Sequence, residues 1–520
     1  MAAHPTAPTR RQPPSKTAAL VLAVILSACG GGGDSSPVAN SPGIAPSSQS
    51  AQQCSPDNPY ASAGLKTGSL TIEKRWLRSY FDEAYLWYDE VPSVDANAAL
   101  YTGEVYTATK NYFNALKTKA KTASGRDKDR FGFTYPTAAW DALSREGVAA
   151  GYGFEFVIGS LTPPNRNIRI VYVEPGSEAA IKGLRRGDKL VTVDGVAGDD
   201  GDAAALNAAL FPAAVTPGAP GVAHGWVFSR AGAVLPALTM TSANITKNPV
   251  LNYGVINALD GKKVGYMVFN DHLATAEAQL VEAVTYFKTQ AIDDLVLDVR
   301  YNGGGYLYIA SELAYMIAGP ARIQNKVFEQ LSFNLKRVSD NNDPGARTPF
   351  SGTTRGGTAL PTLNLPRLYV LTQGDTCSAS ESIINGLRGI DVDVRLIGGG
   401  TCGKPYGFYA KDNCGISYFP IEFKGVNAKG FGDYADGFIP GGSGATGVPG
   451  CVVADDLSHP LADPAEAMLA TALAYRSTGA CPVLSVGMDQ AQSAARTGAT
   501  ASSFMVRGPA RENRLLSPSR

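Results

Sequence analysis

Histidine is scarce in this chain. There are four in 520 residues, at positions 4, 224, 272 and 459, and no two are close in sequence. A zinc hydrolase built on HExxH is therefore excluded, and the seven cysteines contain no CxxC pair that would hold a structural zinc. Neither a metal nor a cofactor is expected. An excess of one charge is also missing, since 46 basic groups face 46 acidic ones. With no basic stripe interleaved with aromatics, nucleic acid is excluded as a partner. No fixed internal period occurs, which excludes a repeat architecture. What is present is ordinary globular material, 44% hydrophobic and 18% charged, in a length that suits roughly three domains.

The apolar run from Ala18 to Leu26 is too short to span a bilayer and follows Arg10, Arg11 and Lys16, so it reads as an export signal. The sequence Leu26-Ser27-Ala28-Cys29 resembles the bacterial lipobox. The resemblance implies removal of residues 1–28, a lipid on Cys29 as membrane anchor, and a periplasm-facing place in the bacterial cell envelope, at the outer membrane. Ordinary cleavage after Ala28 is the alternative. Export changes how the cysteines read. Setting Cys29 aside leaves six, an even number, which in an oxidising compartment favours disulfides. Cys402–Cys414 is the first pairing expected, because the residues between them look like a turn joining two strands. Cys377–Cys402 is a second possibility.

Residues 29–53, rich in Gly, Ser and Pro, read as a flexible linker. Residues 54–145 read as a helical N-terminal domain: from Ser69 onward Leu77, Phe81, Tyr85 and Tyr88 recur at helical spacing. Residues 146–244 alternate strand, turn and short helix, with Ser177 placed as an N-cap. Residues 245–483 alternate buried strands with helices, the mark of a mainly parallel sheet covered on its faces. Residues 484–520, rich in Ser, Ala and Arg, read as a disordered tail. Within the second unit, "GYGF" at 151–154 and "GLRRGDKLVTVDG" at 183–195 together resemble a PDZ domain. That resemblance implies capture of a peptide's terminal carboxylate by the amides of Tyr152, Gly153 and Phe154.

Two strand-to-helix corners carry the candidate chemistry. "LVLDVRYNGGG" ends in a loop that has neither a dinucleotide nor a Walker fingerprint. Its amides suit a developing oxyanion at a helix N-terminus. "DTCSASESIINGL" offers three serines at a corner where one hydroxyl can project while the next amide stays unpaired. A serine at such a corner is most often only an N-cap. Behind them comes "IGGGTCGKPYG". These three motifs, in this order behind a PDZ-like unit, resemble the carboxy-terminal processing protease (tail-specific protease) family. The resemblance spans roughly residues 150 to 440. It implies an α/β multidomain fold: an N-terminal helical cap, a PDZ-like β-rich domain, and an α/β serine protease core of the crotonase/ClpP-like kind.

Carried over motif by motif, the resemblance implies Ser378 as nucleophile and Lys404 as its base. The amides of Ala379 and Gly305 become oxyanion donors, while Asp298, Arg300 and Asn302 brace the loop. This chain departs from the family's pattern around the lysine, and Cys377 and Cys402 lie one and two residues from the implied pair. The family often has Phe-Gly-Lys-Gly with a glutamine four residues after the lysine, whereas this chain has Cys402-Gly403-Lys404-Pro405 and Phe408. The group that orients the lysine is thus unassigned. A lysine of ordinary pKa ~10.4 is almost wholly protonated at neutral pH. Burial in apolar surroundings lowers it by ~3 units or more. The expected function is a lipid-anchored serine endopeptidase that reads accessible protein or peptide C-termini. The alternative is a non-catalytic binding protein that holds a peptide tail or an apolar ligand.

Overall fold

Asp294–Asp298, the strand β8 below, shows how the sequence builds the core. Leu295 and Leu297 point to one face of the sheet and Val296 to the other, and all five residues are buried. A strand covered on both sides needs apolar side chains in both registers, which is why the segment reads as a continuous hydrophobic run. The computed structural model describes residues 43–160, 162–210 and 220–482, together with the short strands Phe504–Met505 and Arg514–Leu515. The signal, Cys29 and most of the linker and tail lie outside the described residues. The two tail dipeptides pair with Val157–Ile158 and with Gly305–Tyr306.

In chain order, the elements that matter are these. The N-terminal region holds α1 (Leu70–Ala84), α2 (Val105–Leu116), β1 (Phe133–Pro136) and α3 (Thr137–Glu146). A β-rich unit follows with β2 (Phe154–Ile158), β3 (Arg169–Val173), α4 (Glu178–Ile181), β4 (Lys189–Val193) and β5 (Ala223–Arg230). The α/β unit comprises β6 (Val250–Asn257), β7 (Lys263–Phe269), α5 (Ala276–Gln290), β8 (Asp294–Asp298), α6 (Leu307–Ala318) and β9 (Arg367–Thr372). It closes with α7 (Ala379–Gly389), β10 (Asp393–Gly398), β11 (Ile416–Phe419), β12 (Gly450–Val452) and α8 (Ala467–Thr478).

The central sheet runs β6-β7-β8-β9-β10-β12, with β6 antiparallel to β7 and every other neighbour parallel. Helices α5, α6 and α7 bury Leu280, Phe287, Leu313, Ile317 and Ile384 on one face, and α8 buries Met468 and Leu469 on the other. None of the described helices is long and apolar enough to cross a membrane. The sheet's parallel order has a direct consequence for the site. The carboxyl ends of β8, β9 and β10, three adjacent strands, deliver the "NGGG", "CSAS" and "TCGK" loops to one edge. Ligands of parallel α/β sheets bind beyond the carboxyl ends of the strands.

Several expectations meet corrections here. Cys414 pairs with Cys54 and Cys402 with Cys377, so the expected Cys402–Cys414 bridge does not form; Cys451 pairs with Cys481. The segment from Cys402 to Cys414 leaves one corner of the fold for another, and proximity in sequence misjudged it. The linker expected to run to residue 53 is already packed from Ser47, whose amide and hydroxyl both donate to the Glu83 carboxylate. In the N-terminal region β1 pairs antiparallel with β11 of the α/β unit, Phe133 stacking on Phe419 at 4.2 Å between centroids. Ser69 and Ser177 cap α1 and α4, accepting from Ile72 N and Ala180 N. In the β-rich unit Arg186 reaches the α/β unit, pairing with Asp455. Asp455 also pairs with Arg300, which binds Asp298 and Glu466.

Candidate active site

Ser378 sits at the N-cap of α7 with φ +60° and ψ −115°, a conformation that a residue with a Cβ rarely adopts. Such strain persists only where the surroundings over-determine it, and it gathers at functional corners. The restraints here can be named. The Cys377 amide donates to Asn302 O at 3.0 Å, and the Ser380 hydroxyl donates to the same carbonyl at 3.0 Å. The Ser378 amide donates to Glu381 Oε2 at 2.9 Å. The Ser378 Oγ is buried and has no hydrogen-bond partner among the described residues. A buried, unpaired hydroxyl is costly unless a partner arrives, as it would with a reacting carbonyl.

The "NGGG" loop lies directly against this corner. Gly304 has φ +101°, and a Cβ on it would come within 2.8 Å of Ser378 Cβ and 2.9 Å of the Ala379 amide nitrogen. Its own amide donates to Asn302 Oδ1 at 2.9 Å. Gly305, with φ +139°, would clash with the His272 backbone at 2.5 Å if it carried a side chain. Glycine is thus required for backbone approach at both positions. Gly304→Ala is expected to lower turnover by at least ~10²-fold, the scale of losing one oxyanion donor. A kcat measurement at saturating substrate on a variant with native circular dichroism checks it, and near-normal kcat would remove the loop from the site.

Asn302 Oδ1 also pairs with Nδ1 of His272 at 3.0 Å, and Asn302 Nδ2 donates to Phe269 O. His272 is buried, and burial pushes its pKa down to about 4 against weaker upward effects, the first of them the Asn302 bond. Its ring pairs with Asn302, its amide donates to Gly304 O and its carbonyl accepts from the Tyr306 amide, so it braces the loop through ring and backbone. The folded state therefore favours the neutral ring. Stability from this group is complete above the unfolded value of ~6.5 and is lost as pH falls toward 4, by up to about 3 kcal/mol. Urea melts at pH 7 and pH 4.5 should differ less for His272→Gln than for the wild type; equal differences would contradict this.

Glu381 was quoted in the motif but given no role by sequence reasoning. It is fully buried, and its carboxylate gathers the site. Oε2 accepts from the amides of Ser378 (2.9 Å) and Lys404 (2.8 Å), while Oε1 accepts from the Gly403 amide (2.8 Å) and the Thr401 hydroxyl. Two amides on one oxygen place the Ser378 and Lys404 nitrogens within about 6 Å of each other. Burial raises the Glu381 pKa, and the hydrogen bonds from Thr401, Lys404, Ser378 and Gly403 oppose it. The Cys377–Cys402 disulfide, with a Cα–Cα distance of 5.2 Å, clamps the same two loops. The available signal in the sequence was Ser-x-x-Glu before an apolar helix, the spacing of a capping box.

Lys404 is fully buried, its Nζ 4.6 Å from the Phe408 ring centroid and 5.1 Å from that of Phe131. The structure therefore brings Ser378, Ala379, Gly305 and Lys404 to one corner. Asp298, Arg300 and Asn302 support it from below. Ser380 and Ser382 lie on α7, their hydroxyls donating to Asn302 O and Ser378 O. Tyr152, Gly153 and Phe154 are elsewhere, at the entry to β2, and among the described residues no hydrogen bond joins them to the Ser378 corner. Gly153 (φ +87°) packs on Ser177, where a Cβ would meet Ser177 Cβ at 2.1 Å.

Residues 263–407 match Peptidase family S41, and residues 73–135 match the Peptidase S41 N-terminal domain. Two regions of this chain are thus similar to peptidase family S41. The S41 match takes in the "NGGG", "CSAS" and "TCGK" loops, and the N-terminal match takes in α1, α2 and the Arg130–Phe131 segment. Among relatives, the carboxyl-terminal-processing protease of Picosynechococcus sp. is 26% identical over 262 residues, 50% of this chain and 56% of that protein. That of Synechocystis sp. is 26% identical over 263 residues, 50% of this chain and 54% of that protein. The chain thus spans about half the length of the curated relatives it matches. A solved structure described as a putative S41 protease from Bacteroides fragilis shares the fold, with a TM-score of 0.58 and 24% identity over 78% of this chain and 97% of that one.

Proposed function

We propose that this chain is a serine endopeptidase in which Ser378 attacks the scissile carbonyl and Lys404 is the base. The observation that carries the reading is the strained Ser378 corner: a buried hydroxyl without a partner, pressed against Gly304 and tied through Glu381 to the lysine loop. In this mechanism a neutral Lys404 amine takes the Ser378 proton as the hydroxyl oxygen bonds to the carbonyl carbon. The amides of Ala379 and Gly305 hold the oxyanion. The ammonium then returns its proton to the leaving amine, and water releases the acyl-enzyme with Lys404 again as base. The aromatic and apolar walls around Lys404 disfavour hydration of an ammonium, which supports its use as a neutral base.

The finer reading is that the β-rich unit acts as a PDZ module, with the loop at Tyr152, Gly153 and Phe154 receiving a substrate's C-terminus. The antiparallel register of β2 on β3 immediately after that loop supports it. Three disulfides among the described residues suit an oxidising cell-envelope location. The test is cleavage of an unstructured protein with an apolar C-terminus, followed by mass spectrometry, with the same protein amidated at its C-terminus as control. Cleavage that is slower on the amidated substrate supports both parts. Equal cleavage rejects the PDZ part, and an inert wild type leaves a binding protein.

A further inference from the structure

Arg130 is an arginine without a carboxylate among its hydrogen-bond acceptors. Its Nη2 donates to Cys402 O at 2.7 Å, Gly403 O at 3.2 Å and Ala435 O at 3.2 Å, and its Nη1 donates to Asp127 O at 3.0 Å. Three of those four carbonyls belong to the lysine loop or the segment packed on it. The next residue, Phe131, lies 95% buried with its ring near two cations: the Arg130 guanidinium carbon at 4.3 Å from the centroid and the Lys404 Nζ at 5.1 Å. Both residues come from the N-terminal region, more than 270 positions before the lysine in sequence. Arg126, from the same segment, donates to Cys402 O and pairs with Asp436.

We propose that Arg130 and Phe131 are positioning residues for Lys404, so that the N-terminal region is a working part of the catalytic corner and not a cap beside it. The inference rests on the reading of Lys404 as base. Its physical content is twofold. The guanidinium collects the outward carbonyls of 402–403 while Glu381 collects the inward amides of 403–404, so the loop is gripped on both edges of its backbone. The guanidinium carbon and the Lys404 amine also lie 4.3 and 5.1 Å from the same ring centroid, so a positive charge sits at most about 9.4 Å from the amine. A like charge there disfavours the ammonium, and a ring that already faces one cation gains less from a second. The charged and titratable groups acting on Arg130 are Arg126, Glu381, Asp436 and Tyr406. Of these, Asp436 is held by hydrogen bonds from Ser124, Thr122 and Arg126, and Glu381 by the amides named above.

The experiment compares wild type, Arg130→Gln and Arg130→Lys in kcat, KM and the pH profile of kcat/KM. It adds hydrogen exchange by mass spectrometry of the peptide covering 401–405. Arg130→Gln is expected to lower kcat about 10- to 100-fold with KM little changed, and to move the acid limb of the profile upward by up to about one pH unit. It should also speed exchange across 401–405. Arg130→Lys keeps the charge, so the limb should return while kcat recovers only in part. A rate loss with an unmoved limb, no recovery in Arg130→Lys and unchanged exchange would overturn the proposal. If the wild type proves inert, the base reading fails by itself, and exchange across 401–405 still decides whether Arg130 grips the loop. A melt of each variant separates these effects from loss of fold.

Discussion

Replacing Ser378 or Lys404 with alanine is expected to reduce peptide-bond hydrolysis by a factor on the order of 10⁴–10⁶ while leaving the fold intact. The Ser378 hydroxyl has no partner to lose among the described residues, and removing it even relieves an unsatisfied buried group. Lys404→Ala removes the amine that lies over the Phe131 and Phe408 rings but leaves the Glu381 bond to the Lys404 amide in place. In the proposed mechanism nucleophile and base act as one unit, so the double variant should be no worse than either single one. The assay is kcat/KM on the tail-bearing substrate, with circular dichroism to confirm folding. Full activity in either single variant would remove that residue from the mechanism, and a double variant far below the singles would show that the two act independently.

The second large effect is expected at Glu381, and on stability first. Glu381→Ala would orphan the buried amides of Ser378, Gly403 and Lys404 in one step. At roughly 1–3 kcal/mol for each unsatisfied donor, the loss is about 3–6 kcal/mol after partial relaxation. That is comparable with the ~5–15 kcal/mol that holds a whole domain together. Glu381→Gln keeps the shape but replaces one acceptor oxygen with an NH₂ group facing N–H donors, so at least one amide still loses its partner. Urea denaturation should rank wild type above Glu381→Gln above Glu381→Ala, and both variants should lose turnover because the lysine loop is no longer drawn toward Ser378. If Glu381→Ala unfolds in the absence of denaturant, the glutamine variant carries the comparison. A Glu381→Gln enzyme equal to wild type in both measurements would contradict the assigned role.

The parts of this site that could be read from the sequence are those encoded locally. Apolar runs such as 294–298 announce strands covered on both faces, Ser69 and Ser177 announce helix starts, and glycines at 303–305 announce a loop whose backbone must come close to something. Three motifs in order also put the candidate nucleophile, base and oxyanion loops after three strands that are adjacent in the sheet. What could not be read depends on contacts between distant segments. Cys54 finds Cys414 across 360 positions, and nothing near either cysteine hints at it. The strand at 133–136 is four residues long and declares itself only by pairing with 416–419. Arg130 looks like any arginine in a charged loop, because its partners are backbone carbonyls, which carry no sequence signature. Glu381 lies between these cases, since Ser-x-x-Glu was visible but its second job, holding the lysine loop, was not.

The Cys54–Cys414 bond gives the molecule a property that its non-covalent contacts could not. Every residue from 54 to 414, including Ser378 and Lys404, belongs to one macrocycle sealed by that pair of sulfurs. A peptidase that nicked a sister molecule once inside this ring would leave two fragments still travelling as a single particle, with the lysine loop still under its N-terminal brace. Damage of that kind becomes visible on a gel only after a thiol has been added.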